Sequence, residues 1–318
     1  MQARISKTSP PTKLTSAFLE RCASRKPLRA GSVIVTIFGD TIAPRGGVVW
    51  LGSLIRVLEP LGISERVVRT AVYRLSQDGV LASEQIGRKS YYGLTESGRE
   101  QFAAATQRIY RGSHADWDGR WCLVLTSALS TTERAAARKA LGWQGFGQFG
   151  AELLAHPNAD RGTVATQLQV LGVETDVVLL DATSPKGNST EPLNELVNRA
   201  WDLPGLARAY DQLLDTLTPL DTAVRSTGTL EPADAFYART LLIHEYRRVL
   251  LRDPSLPAAL LPTPWPGRAA AQLSRALYRA LAAPAERFVD GALSNSSGAL
   301  PRADRGFTDR FGGLGDVL

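Results

Sequence analysis

Apolar residues recur along this chain in short blocks whose spacing switches between about 3.6 and about 2. The first block, 32–38 (Ser-Val-Ile-Val-Thr-Ile-Phe), is β-branched and suits a strand. A run this short suits a helix buried on most sides equally well. Pro44 and the Gly46-Gly47 pair mark a loop over 40–47. Val48, Leu51, Leu54, Ile55 and Leu58 then fall at helical spacing, and Pro60 and Gly62 close that helix. Ser64 suits the N-cap of a second helix, and Glu65 suits its positive end. Val67, Val68, Ala71, Val72 and Leu75 make one stripe of this helix, and Arg66, Arg69, Thr70, Tyr73, Arg74 and Gln77 make the opposite face. That face holds three arginines and no carboxylate, whereas a solvated face usually mixes signs to gain pairs one turn apart. Asp78-Gly79 stops the helix. Val80 to Leu94 is patterned as a hairpin with Gly87-Arg88-Lys89 at its tip, and Thr95 opens a helix to about Tyr110.

Helix, short turn, basic-faced helix and basic-tipped hairpin form the pattern of a winged helix-turn-helix, assigned to 29–112. A helix fits the ~12 Å major groove, and a basic wing reaches neighbouring phosphates or the minor groove. Arg66, Arg69, Thr70, Tyr73 and Arg74 are the candidate groove-facing residues, with Ser64 at the head of the helix. Arg88, Lys89 and Arg45 are the candidate phosphate contacts. The same pattern is also that of a helix and hairpin with no ligand.

Beyond 113 the pattern changes. Residues 120–126, 147–155 and 175–181 are expected strands, with helices over 131–141 and 163–171 between them. This β-α-β…α-β order predicts a ferredoxin-like α+β domain over 113–190. Residues 191–293 are patterned as a helical domain with several proline breaks. The segments 1–28 and 294–318 have the polar composition of flexible ends. The fold class expected is thus α+β and multidomain.

Composition narrows the function. The 318 residues carry a net charge of +6, but 1–112 hold 17 basic and 8 acidic side chains, and the remainder 20 and 23. A basic third joined to a near-neutral remainder fits a polyanion-binding module, although a basic surface kept for solubility gives the same count. No apolar run reaches the ~20 residues needed to cross a bilayer, and the basic first 28 residues lack an apolar block. A soluble cytoplasmic protein is expected. Two cysteines, Cys22 and Cys122, and three histidines leave little for disulfide or metal chemistry. Gly145 to Gly150 matches G-x-G-x-x-G, but it follows a helix and precedes an extended segment, the reverse of a dinucleotide fingerprint. His244-Glu245 begins a zinc motif whose second ligand position is Arg248, a cation. No nucleophile is assembled with a base, so no enzyme, cofactor or metal is expected.

Several stretches together resemble the PaaX family of bacterial transcriptional repressors. They are 35–40, 43–47, 50–54, 61–63, 65–70, 73–75 and 91–95, with 253–257, 260–262 and 265–267 near the end. The likeness spans about 30–285. It implies a winged-helix domain, a middle domain similar to the CRISPR adaptation nuclease fold, and a helical C-terminal domain. It also implies a homodimer that represses phenylacetate-degradation genes and leaves double-stranded operator DNA on binding phenylacetyl-CoA. Relatives can answer to other aromatic acyl-CoA thioesters. For such an effector Trp143, Phe146, Trp201, Trp265, His244, Arg247 and Arg248 could supply an apolar slot and cations. Two enzyme alternatives remain: an acyl-CoA-handling enzyme with a DNA-binding appendage, and a metal-dependent nuclease, which would need an acidic residue ending the first middle-domain strand. That strand ends Leu125-Thr126-Ser127.

Overall fold

The computed structural model describes residues 13–25, 27–111, 117–184, 191–227, 229–315 and 317. Two compact units divide the chain. The first comprises Met1–Gly112, Asp211–Leu251 and Gly267–Leu318, and the second Ser113–Tyr210 and Arg252–Pro266. The expected helical segment 191–293 therefore contributes to both.

The first unit begins with α1 (Lys13–Arg25), which buries Phe18 and Cys22, one turn apart, and packs on a later helix. The flexible lead-in expected over 1–28 thus contains a helix. Only a tertiary partner gives Phe18 and Cys22 somewhere to go; residues 1–12 and 26 lie outside the described residues. The ambiguous run is a helix, α2 (Ala30–Ile37), with Val33, Ile34, Ile37 and Phe38 fully buried. It continues through a π-helical turn (Phe38–Ile42) and a 3-10 turn (Ala43–Arg45) to left-handed Gly46. The loop expected from residue 40 is therefore mostly helical, and Asp40 is buried within it. The helix expected from Val48 is shorter than its spacing suggested. β1 (Val48–Trp50) pairs with a later strand, and α3 (Leu51–Leu58) follows. Next come α4 (Glu65–Gln77), the hairpin β2 (Leu81–Ile86) and β3 (Lys89–Leu94), and α5 (Glu96–Thr106), capped by the Thr95 hydroxyl accepting from the Gly98 amide. The sheet order is β1-β3-β2, antiparallel throughout.

The second unit holds β4 (Arg120–Leu125), α6 (Thr131–Trp143), β5 (Gly147–Gln148), β6 (Leu153–Pro157), α7 (Arg161–Leu171) and β7 (Val178–Thr183). Its sheet runs β5-β6-β4-β7, again antiparallel. The single strand expected over 147–155 is a hairpin, because the chain turns back after Phe149, whose amide donates to Leu153 O. Cys122, Val124 and Leu154 on one sheet face bury against Ala137, Leu141, Val164 and Leu168 of the helices. The Gly145–Gly150 motif serves packing. A Cβ at Gly147 would lie 2.5 Å from the Trp201 ring, and one at Gly145 3.0 Å from His156.

The remaining helices are α8 (Glu191–Ala200), α9 (Leu203–Ser226), α10 (Pro232–Leu250) and α11 (Pro266–Ala292). Pro219 and Pro284 lie inside α9 and α11 rather than ending them. The segment after 293 is folded, not a flexible tail. A short hairpin, β8 (Ser294–Asn295) and β9 (Gly298–Ala299), leads to α12 (Arg305–Thr308), and Phe307, Arg310, Phe311 and Leu314 are buried. Those side chains alternate with glycine and charge, so composition concealed them.

Candidate nucleic-acid interface

α3 and α4 are joined by a 3-10 turn, Glu59–Leu61, that ends at left-handed Gly62. The Ile63 amide reaches back to Leu58 O, 3.3 Å, so the turn fixes the angle between the helices. Leu61, Ile63, Val68, Ala71 and Val72 are buried on the inner side, together with Leu54 and Leu58 of α3. α4 also packs against α2. Anchored this way, the helix leaves its other face to solvent: Arg66, Arg69, Thr70, Tyr73 and Arg74 are all exposed, Tyr73 by 63%. Two details differ from the sequence reading. Val67 is 42% exposed and leaves the apolar stripe. The arginine face also has a carboxylate beside it, since Glu65 Oε1 accepts from Arg69 Nε at 2.8 Å, one turn along. Ser64 occupies the N-cap position with extended backbone, but its hydroxyl makes no capping bond and stays exposed.

The hairpin after α4 turns through Gly87-Arg88, with Ile86 opposite Lys89 and Gly87 at φ 61°. A glycine in the left-handed region at the first position is what a two-residue loop demands. Arg88 and Lys89 are exposed at the tip. The ammonium of Lys89 lies 4.7 Å from the Trp50 ring centroid, and the Arg56 guanidinium lies 4.9 Å from it. Gly52 has no room for a Cβ because that ring would stand 2.4 Å away, so the indole is held flat against the start of α3.

Arg45 does not belong to this surface. It is 3% exposed, ion-paired with Glu286 and Asp290, and donates to Pro301 O at 2.9 Å. The basic residue expected in a phosphate-facing loop instead ties the 3-10 turn to α11. Spacing alone could not show this, because its partners lie more than 240 residues away.

Three family models match in order along the chain: PaaX-like protein over 29–98, PaaX protein central Cas2-like domain over 114–193, and PaaX-like protein C-terminal domain over 201–291. Transcriptional repressor PaaX of Escherichia coli (strain K12) is 38% identical over 298 residues, covering 93% of this chain and 94% of that protein. The chain belongs to the PaaX family. This is a family of regulators and not of enzymes. The Mycobacterium tuberculosis protein Rv0674 is also similar in structure, at 24% identity and a TM-score of 0.48, over 74% of this chain and 89% of that one.

Within the PaaX frame the effector candidates are scattered. Trp143 is 82% exposed, whereas Phe146 is buried beside His156. Trp201 donates to Gly145 O at 2.8 Å and stacks with Trp121, and Trp265 sits edge-on to Tyr210. These four belong to the second unit, while His244, Arg247 and Arg248 belong to the first. His244 is buried with its Nδ1 3.2 Å from the Thr36 hydroxyl. Burial, then the neighbouring Arg247 and Arg248, lower its pKa to about 4. Arg248 is paired with Glu245 at 2.9 Å. Cys122 is core, and burial pushes its thiol up. At the end of β4, Thr126 is buried and its hydroxyl donates to Glu152 O at 3.0 Å. Asp118 before the strand is paired with Arg120.

One group went unread in the sequence. Asp40 accepts from Tyr110 Oη at 2.7 Å, Tyr278 Oη at 2.8 Å and Arg310 Nη1 at 3.1 Å, with Arg239 Nε 3.1 Å from its second oxygen. Arg239 also pairs with Glu286 at 2.8 Å. All but Glu286 are almost fully buried, and burial raises the pKa of both tyrosines. A lone Asp closing an apolar run is the only sequence signal for this network.

Proposed function

We propose that this PaaX-family chain is a DNA-binding transcriptional repressor of phenylacetate catabolic genes, whose winged helix-turn-helix enters operator DNA through α4. The observation that carries this reading is the exposed face of α4, with Arg66, Arg69, Thr70, Tyr73 and Arg74 pointing away from the core beside the basic tip of β2–β3. Arginines on that face are suited to grip guanine O6/N7 bidentately, and Arg88 and Lys89 to hold phosphates. The free hydroxyl of Ser64 and the amides at the head of α4 suit a phosphate as well. The second unit, with its β-α-β-β-α-β order and β5-β6-β4-β7 sheet, supports a ferredoxin-like middle domain. Identity to a repressor supports the pathway and repression.

The chain acts as a homodimer on a near-palindromic site with half-sites ~34 Å, or a multiple, apart. Phenylacetyl-CoA, or another aromatic acyl-CoA, favours a form that does not bind and so releases the DNA. The test is a gel-shift titration of purified protein on promoter DNA upstream of phenylacetate genes. Retention without thioester and release with it is the expected result. No retention, or cleavage of the DNA, overturns the proposal.

A further inference from the structure

The first unit holds a cleft of two neighbouring pockets with four lining residues in common, the larger named here the outer chamber and the smaller the inner. The outer one is about 630 Å3, within the range of ~300–1,000 Å3 usual for small-molecule sites. Arg99, Arg111, Arg302 and Arg310 line it, and its one carboxylate, Asp304, is already engaged as the N-cap of α12. The inner chamber is about 200 Å3, lined by Val35, Ile109, Ile243 and Leu251 with Arg247 and Gln101 at its side, and its one carboxylate, Asp40, is already engaged by Tyr110, Tyr278, Arg239 and Arg310. Gly39, Phe102, Thr106 and Tyr110 line both. A closed apolar cavity of ~150 Å3 takes up benzene, so a phenyl-sized body fits the inner space.

Two guanidinium groups, one buried and one half-buried, point to a missing ligand. Arg310 is 3% exposed, yet its Nε–H has no hydrogen-bond partner among the described residues; the same holds for the buried Nε–H of Arg247. Buried polar groups are nearly always satisfied, and guanidinium forks match carboxylate and phosphate. One lines the outer chamber and the other the inner.

We propose that this cleft binds a small aromatic anion, its ring in the inner chamber and its charged groups on the arginines of the outer one. The proposal deepens the effector reading above and rests on it only for the consequence on DNA. That consequence has a short route. Val35 and Thr36 of α2 wall the inner chamber, and α2 packs on α4. Arg310 holds Asp40 and the carbonyls of Gly39 and Asp40, which continue α2. A ring that moves α2, or an anion that draws Arg310 from Asp40, shifts the support of the exposed helix.

Calorimetric titration of the full chain with 8-anilinonaphthalene-1-sulfonate and with phenylacetyl-CoA tests this, with operator affinity read in parallel. Ala105→Trp fills the inner chamber, and Arg302→Glu reverses an exposed charge at the outer one without touching the core. The expected result is a tenfold or greater loss of affinity for both compounds in both variants, with operator binding in the absence of ligand unchanged in Arg302→Glu and weakened in Ala105→Trp, whose indole stands where the ring would. If the sulfonate binds and the variants lose it while phenylacetyl-CoA has no effect, the cleft stands and the effector reading fails. If phenylacetyl-CoA releases DNA equally from wild type and both variants, the cleft assignment fails and the effector reading stands. If neither compound binds, the cleft assignment is overturned.

Discussion

Arg69 shows how one neighbour changes what a basic side chain offers. Its pair with Glu65 is more than half exposed on both sides, and such pairs contribute only about 0.3–0.5 kcal/mol. A bidentate contact to guanine is worth about 1–3 kcal/mol, so DNA outcompetes the intrahelical pair. Lys89 differs, because its ammonium over Trp50 stays near the wing tip and is suited to a phosphate. Arg69→Ala is accordingly expected to cost about 1–3 kcal/mol on the operator and to relax sequence preference. Lys89→Ala should weaken all DNA alike and reduce the salt slope by about 1. Fluorescence anisotropy against salt, on operator and scrambled duplexes, separates the two; indistinguishable profiles would remove the division of roles. Arg45, buried against α11, is outside this comparison.

Among elements, the buried network around Asp40 joins five that are far apart in sequence: the π-helical turn after α2, the π-helical turn after α5 through Tyr110, α10 through Arg239, α11 through Tyr278, and the segment after α12 through Arg310. Breaking a buried pair by removing one charge costs about 3–5 kcal/mol, because the partner is left uncompensated. Asp40→Asn leaves Arg239 and Arg310 facing a neutral amide. Urea unfolding should show a loss in that range, whereas a loss under about 1 kcal/mol would mean water screens the cluster. Dependence on distant partners also governs α1 and the segment after 293. Phe18 and Cys22 of α1, and Phe307, Phe311 and Leu314 near the other end, are buried only because distant elements stand against them. The α3–α4 turn and the β2–β3 hairpin were legible, since glycine positions and residue periodicity specify them locally.

For the whole molecule, two histidines, one buried and one half-buried, set a pH response. His244 in the first unit and His156 in the second are both lowered from 6.5 to about 4, mainly by burial. The unfolded chain takes up protons as pH falls through 6.5, while the native state does not until about 4. Stability is therefore complete above 6.5, declines between 6.5 and 4, and is level below; each histidine contributes about 3 kcal/mol at most. His244→Gln should lose less stability than wild type between pH 7.5 and 5 in urea titrations, and an equal loss would exclude His244 as a source. The sequence by itself determined the local elements, the arginine-bearing helix face, the wing and the family, because spacing, turn residues and charge act over a few positions. Tertiary structure alone decided that Arg45 is structural, that Lys13–Arg25 and the segment after 293 pack onto distant elements, and that arginines and apolar residues from four stretches of chain line one cleft. Burial and ion pairing depend on which distant residues meet, and no local pattern encodes that meeting.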